Sequence, residues 1–462
     1  MSTRRTFLQQ SLTLAGGIVA TQTFGGIPFL STKPRVIVLG AGISGLSAAD
    51  TLVQAGAQVT VLEARKRLGG RIFSYSPAEA KGLVMELGAE WIGEDHTTMR
   101  GLCARFGLPL QDNRFAVHMV DRGAYKAANT WDFTPAWKER WEKLLDAFNA
   151  MSPQEQQQLD NIDFYHYLLM NGCDGPDLEW IELNDSTEFG ESIRHVSAYM
   201  AMGGHAAAGE HAQMDYKLKG GNGMVIKALA GSVGLANIHQ DHRATLVEQD
   251  GDGVKVTCAN GSVWSADKII CTLPVFAMRQ IEWKPGLPAD LRQALQELNY
   301  GRINKHAVMY DRRFWKDENF AMVTDMPAHF FYHATKDQAG DAGILISYSI
   351  GDKAAIFGSY SDVKSWSANA VNEALKPAFG DTSKHLLHQW NYNWSTDEYS
   401  RGAYAIYNKY QWFKLRPVLE RPFLNTHFAG EHLHDWQGFM EGAAESGIAA
   451  ESGIAAAKVI LG

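Results

Sequence analysis

The run from Arg35 to Glu63 narrows the choice of fold more than any other part of this chain. It opens with Val36-Ile37-Val38-Leu39, a short, β-branched, uninterrupted apolar run of the kind that forms a buried parallel strand. Gly40, Gly42 and Gly45 follow in the spacing G-x-G-x-x-G, and the periodic segment Leu46 to Ala55 then reads as a helix. Gly56 stands where a helix C-cap is expected, and Gln58 to Leu62 reads as a second strand ending at Glu63. One glycine makes the tight turn, one lets the backbone approach a pyrophosphate, and one brings helix and strand close. A diphosphate would rest on the helix N-terminus, where free N–H groups and the dipole favour negative charge. Glu63 would then accept the hydroxyls of an adenosine ribose. The unit predicts a doubly wound, Rossmann-like dinucleotide-binding domain.

The residues just beyond this unit separate the dinucleotides. The run Glu63-Ala64-Arg65-Lys66-Arg67-Leu68-Gly69-Gly70-Arg71 holds a second glycine pair between arginines, which a simple NAD domain does not need. It resembles the extended flavin fingerprint of the flavin-containing amine oxidases, the family of monoamine oxidases, polyamine oxidases and L-amino acid oxidases. The resemblance implies FAD, with Arg65 and Arg71 near its diphosphate and ribose and Gly70 keeping the loop close. Further motifs occur in the family's order, over about 430 residues. Glu86-Leu87-Gly88-Ala89-Glu90-Trp91-Ile92-Gly93 resembles the segment that passes along the flavin ring, and Gly88 and Ala89 are small enough for a close approach. Tyr216 to Met224 is a glycine turn feeding a helix. Residues 243–257 alternate as a hairpin about Asp250-Gly251-Asp252-Gly253, with Ala244 at the adenine position, and Asp267 to Pro274 resembles the strand that returns under the cofactor.

The active-site residues are carried over from the same resemblance. Gly301 to Tyr310 resembles the strand bearing the family's lysine, which puts Lys305 in that role: holding a water against the flavin and assisting its reoxidation by oxygen. Asn393-Trp394-Ser395 and Tyr399 to Tyr404 match a segment in which Trp394 and Tyr404 face the cofactor. Monoamine oxidases carry a tethering cysteine just before that tyrosine; here Ala403 offers no sulfur, so FAD is expected to bind non-covalently. The closing signature, Phe428-Ala429-Gly430-Glu431-His432 and Trp436 to Ala443, implies that Gly430, Glu431, Gly438, Phe439 and Met440 lie along the flavin. Phe439 stands where many members have a second tyrosine, so Tyr404 and Phe439 are expected to form an aromatic slot. Ser44 joins the glycines as a cofactor-binding position. Catalytic roles fall to Lys305, Tyr404, Phe439 and Trp394, and no metal is expected.

Composition bounds the rest. A chain of 462 residues exceeds a single core, and a formal charge of −8 leaves no basic stripe for nucleic acid. Cys103, Cys173, Cys258 and Cys271 are scattered, without metal spacing, and read as buried free thiols. Ser2-Thr3-Arg4-Arg5-Thr6-Phe7-Leu8, with a short apolar region after it, resembles a twin-arginine export signal; this implies the export machinery as a partner and a periplasmic or secreted destination. No later segment is apolar for long enough to span a bilayer. The expected organisation is a signal at 1–33, FAD-domain segments at 34–96, 216–285 and 396–462, a mostly helical substrate-domain segment at 97–215, and a mixed substrate-domain sheet at 286–395. The histidines within 97–215, His166, His195, His205 and His211, read as structural.

The implied activity is an FAD-dependent oxidase of primary or secondary amines. Hydride passes from the amine α-carbon to flavin N5, the imine hydrolyses, and oxygen becomes hydrogen peroxide. Two alternatives stand beside it: an L-amino acid oxidase, or an amine dehydrogenase passing electrons to a periplasmic acceptor. Trp91 stands near the place where related L-amino acid oxidases carry a carboxylate-gripping arginine. Arg100 reads as a surface helix residue, so no clamp is expected there. Glu94 and Asp95 read either as loop acids or as attractors of an ammonium group.

Overall fold

A computed structural model describes residues 33–208, 215–359 and 363–461. The expected export signal, apart from its last residue, and His211 lie outside the described residues. The Arg35–Leu39 strand forms the middle of a five-stranded parallel sheet. Lys268–Cys271 lies beside it on one side and Gln58–Leu62 on the other; Thr426–Phe428 and Ile238–His239 occupy the edges. The apolar run divides between two cores because alternate side chains point to opposite faces. Val36 and Val38 pack with Leu46, Leu52, Val225 and Leu229, whereas Ile37 and Leu39 pack with Val247, Val256 and Ile269. A buried parallel strand needs cover on both faces, and here it has it.

The helix after the glycine turn spans Ile43–Gln54. Against it lies the C-terminal helix Met440–Leu461, which runs through the duplicated ESGIAA hexapeptide. Gly447 makes that crossing, since a Cβ there would meet Ser44 O at 2.1 Å. The expected hairpin is present as antiparallel Ala244–Gln249 and Val254–Cys258. All four cysteines are buried and free.

The second large layer is a seven-stranded sheet in the order Leu386–Asn393, Ile303–Tyr310, Gly343–Ile350, Phe330–His333, Phe320–Thr324, Ala116–Asp121, Ala124–Lys126. Only the pairing of Ala116–Asp121 with Phe320–Thr324 is parallel. Ile303–Tyr310 lies between two partners and all eight of its residues are buried, so Lys305 is not on an edge. The 97–215 segment holds short strands beside the helices its periodicity suggests. Helices Thr97–Arg105, Pro135–Ala150, Phe164–Met170, Gly175–Phe189 and Ala198–Ala208 accompany strands Leu110–Asp112, Ala116–Asp121 and Ala124–Lys126. The latter two extend the sheet, and the partner that fixes them lies some two hundred residues downstream. Among the described residues no helix is long and apolar enough to cross a membrane.

Candidate active site

The two layers enclose one continuous cavity of about 770 Å³. Its wall begins at the glycine turn. Gly42 caps the Ile43–Gln54 helix without a side-chain bond, no acid occupies the first turn, and a Cβ built on Gly42 would meet nothing within 4 Å. The buried Ser44 Oγ has no partner among the described residues. Open amides, an unused hydroxyl and no competing carboxylate fit the diphosphate of a dinucleotide. Gly45 alone among the expected site residues does not line the cavity: its Cβ would lie 2.0 Å from Gly40 O, so it serves the helix–strand packing. Glu63 accepts from the backbone N–H groups of Ala41 and Arg65, each at 2.8 Å. Burial pushes its carboxyl above the ordinary range, and Glu63 lines the cavity with acceptor capacity left for a ribose.

The two arginines are already engaged. Arg65 donates to both oxygens of Asp397, at 2.8 and 2.5 Å, and to Ser400 Oγ at 2.9 Å. Burial opposes the charge on Asp397, yet the guanidinium wins and holds it well below the usual carboxylate range. Arg71 pairs with Glu431 at 2.6 Å, and Glu431 also accepts from Gly438 N at 3.0 Å. Both pairs tie the fingerprint loop to segments more than three hundred residues away.

Lys305 projects from its strand into a fully buried cage. Its ammonium donates to Gly88 O at 2.7 Å, Tyr332 Oη at 2.9 Å and Glu86 O at 3.2 Å, and lies 3.5 Å from Glu90 Oε2. The rings of Trp91, Tyr332 and Tyr348 each lie 5.5 Å from it. Burial lowers its proton affinity, and Glu90 and Glu86 work in the other direction. Burial together with the neighbouring Glu90 pushes Glu86 up to about 7. Trp394 is buried beside this cage, donating to Leu87 O at 2.8 Å.

Tyr404 and Phe439 both line the cavity. The Tyr404 ring lies over Gly438, whose φ is +85° and whose Cβ would fall 2.8 Å from it; any other residue there would be both strained and in collision. The Tyr404 hydroxyl approaches the carbonyl oxygens of Thr187 and Glu188, at 2.8 and 2.5 Å, at the C-terminal end of the Gly175–Phe189 helix. Phe439 packs edge-on against His96 and Trp436, with ring centroids 5.4 and 5.8 Å away. The Tyr348 and Tyr404 hydroxyl oxygens lie 3.5 Å apart. Phe115 and Phe330 add to the apolar lining.

Residues 43–454 match the model of the flavin-containing amine oxidoreductases. The chain belongs to that family. It is similar, at 25% identity over 92% of its length and 87% of the relative's, to the L-amino acid oxidase bordonein-L of Crotalus durissus terrificus. An L-amino-acid oxidase of Echis ocellatus is 26% identical over 92% of this chain and 90% of that protein. In fold it resembles a putrescine oxidase solved with putrescine (TM-score 0.81, 21% identity, 92% of this chain and 99% of that one). Cyclohexylamine oxidase from Brevibacterium oxydans is similarly close (TM-score 0.81, 22% identity, with 92% and 99% covered). The mixed α/β architecture is thus that of the FAD-dependent amine oxidases.

Two residues of this amine oxidoreductase went unassigned in the sequence. His205, read as structural, lines the cavity with its Nε2 3.0 Å from Asp185 Oδ2. Burial disfavours its charge, but Asp185 prevails and pushes the imidazole up to about 9. Lys217, buried, sits 3.3 Å from Glu90. Neither has a local signature, because the acid that defines each lies on another element. Arg100 is exposed and bonds to Glu94 O. Among the described residues no group of histidines, cysteines and acids could hold a metal.

Proposed function

We propose that the protein oxidises primary or secondary amines with non-covalently bound FAD, reducing oxygen to hydrogen peroxide and releasing an imine that hydrolyses. The observation that carries this reading is one continuous cavity with an open glycine-turn helix terminus at one end and the buried Lys305 ammonium in its aromatic wall. When bound, the flavin supplies the redox chemistry, taking hydride at N5 and returning electrons to oxygen. The chain's residues do the rest. The N–H groups at the start of the Ile43–Gln54 helix and the Ser44 hydroxyl would hold the diphosphate, and Glu63 would hold the ribose. Gly88, Ala89, Gly430 and Met440 let the ring lie close to backbone. Tyr404, Tyr348 and Phe439 exclude water and orient a neutral amine, and Lys305 supplies positive charge where oxygen is reduced.

The L-amino acid oxidase reading rests on the names of the relatives similar in sequence. Against it, Trp91, ring-packed on Tyr332 at 5.2 Å, stands near the place where related L-amino acid oxidases carry a carboxylate-gripping arginine. The same proposal has the chain exported through the twin-arginine route, which carries folded proteins with their cofactor in place. The deciding experiment is anaerobic. Yellow purified protein should bleach with one or more alkyl-, aryl- or diamines and not with leucine or phenylalanine, and should release peroxide on re-aeration. Bleaching by amino acids alone would transfer the assignment to the second reading. Bleaching without peroxide would indicate a dehydrogenase.

A further inference from the structure

Behind the cavity wall, Lys305 belongs to a buried chain of alternating charges. The Glu90 carboxylate lies between two ammonium groups, with Oε1 3.3 Å from Lys217 Nζ and Oε2 3.5 Å from Lys305 Nζ. Lys217 is anchored a second time, to Ala334 O at 2.9 Å. Backbone pairing builds this arrangement. Ile92 and Tyr216 exchange N–H···O bonds of 2.7 and 2.9 Å, which brings the nearby Glu90 and Lys217 alongside one another. The side chains of Lys217, Glu90 and Lys305 are 5%, 0% and 4% exposed, so water screens none of these charges. Glu86 is held separately, by Ser74 Oγ and Asn222 N. The groups facing the Lys305 ammonium from every surrounding element are the carboxylates of Glu90 and Glu86, the ammonium of Lys217, the phenols of Tyr332 and Tyr348, and the Trp91 ring.

A buried charge keeps its proton state only through its partners. Here the partners act with opposite sign: Glu90 attracts the proton on Lys305, and Lys217 repels it while competing for Glu90. We propose that Lys217 and Glu90 are positioning residues for Lys305, Lys217 fixing the carboxylate midway and Glu90 holding the Lys305 side chain aimed and charged toward the cavity. The consequence for flavin chemistry rests on the reading of Lys305 given above.

The test uses the purified holoenzyme and the variants Lys305→Met, Glu90→Gln and Lys217→Met. The flavin midpoint potential is followed anaerobically against pH. A break in that curve that disappears in Lys305→Met belongs to Lys305. Glu90→Gln is expected to move it down by about one pH unit, a tenfold loss of proton affinity, and Lys217→Met to move it up by a comparable amount. Lys217→Arg, which keeps the charge, should restore the wild-type position. Where Glu90→Gln fails to fold, Glu90→Asp should give a smaller downward shift. If both variants retain FAD and thermal stability but shift the break in the same direction, or not at all, the two residues only pack, and the proposal falls. If Lys305→Met leaves the curve unchanged, Lys305 does not sense the flavin, and the reading beneath the proposal falls with it.

Discussion

His205 and Lys305 line the same cavity, and burial opposes the charge of both; their partners decide how each titrates. For His205 the partner is Asp185, which lifts the folded-state pKa to about 9. A histidine raised by folding stabilises fully below its unfolded value near 6.5, and that contribution is lost as pH climbs through 9. The imidazole is mostly buried, so about 3 kcal/mol is at stake. Urea midpoints measured from about pH 6 to about pH 10 should fall across that window in the wild type and flatten in Asp185→Asn. Lys305→Met should slow reoxidation of reduced flavin by oxygen at least tenfold in stopped flow while leaving FAD affinity close to wild type; unchanged oxygen kinetics would remove Lys305 from that role. Gly438→Ala places a Cβ 2.8 Å from the Tyr404 ring at φ +85°, and it should perturb the bound-flavin spectrum and cut amine turnover. At this scale residue type and order in the family motifs make legible the position of Lys305 and Tyr404 on the cavity wall. It was illegible at His205 and Lys217, whose charges mean nothing until Asp185 and Glu90 are brought alongside.

Elements show the same division. The Arg35–Leu39 strand, the glycine turn and the Gln58–Leu62 strand arise from local pattern alone, as does the 244–258 hairpin. The Thr97–Arg105 helix begins differently: His96 at its N-cap makes no side-chain cap bond. Glu441, some 340 residues later, takes that place and accepts from Thr98 N and Met99 N at 2.8 Å each. Removing this remote cap in Glu441→Ala should cost roughly 1–2 kcal/mol, read as a lower thermal midpoint with the flavin spectrum retained. Ala116–Asp121 carries the converse lesson. Its six residues are too few to declare a strand inside a helical neighbourhood, and only Phe320–Thr324 makes them one.

Across the whole molecule, the parallel sheet draws strands from 35–62, 238–271 and 426–428, while the seven-stranded sheet draws from 116–126 and 303–393. Neither layer is complete until nearly the full chain has been made. The layers are also fastened together by Trp394 to Leu87, Lys305 to Gly88 and Arg65 to Asp397. Loss of bound-flavin signal and loss of far-UV ellipticity should therefore coincide on denaturant titration; a separate, earlier flavin transition would mean that the layers unfold independently. Added FAD should raise the midpoint of the apoprotein in proportion to the logarithm of its concentration.

The Arg65–Asp397 clasp has one more consequence. The same guanidinium that closes the turn beyond the nucleotide strand also pins the stretch leading to Tyr404, so the anchoring end and the reacting end of the chamber share a single rivet. Variation in amine preference should accumulate in the walls contributed by Phe115, Phe330 and the Thr187–Glu188 corner, which can be recarved without loosening the cofactor's berth.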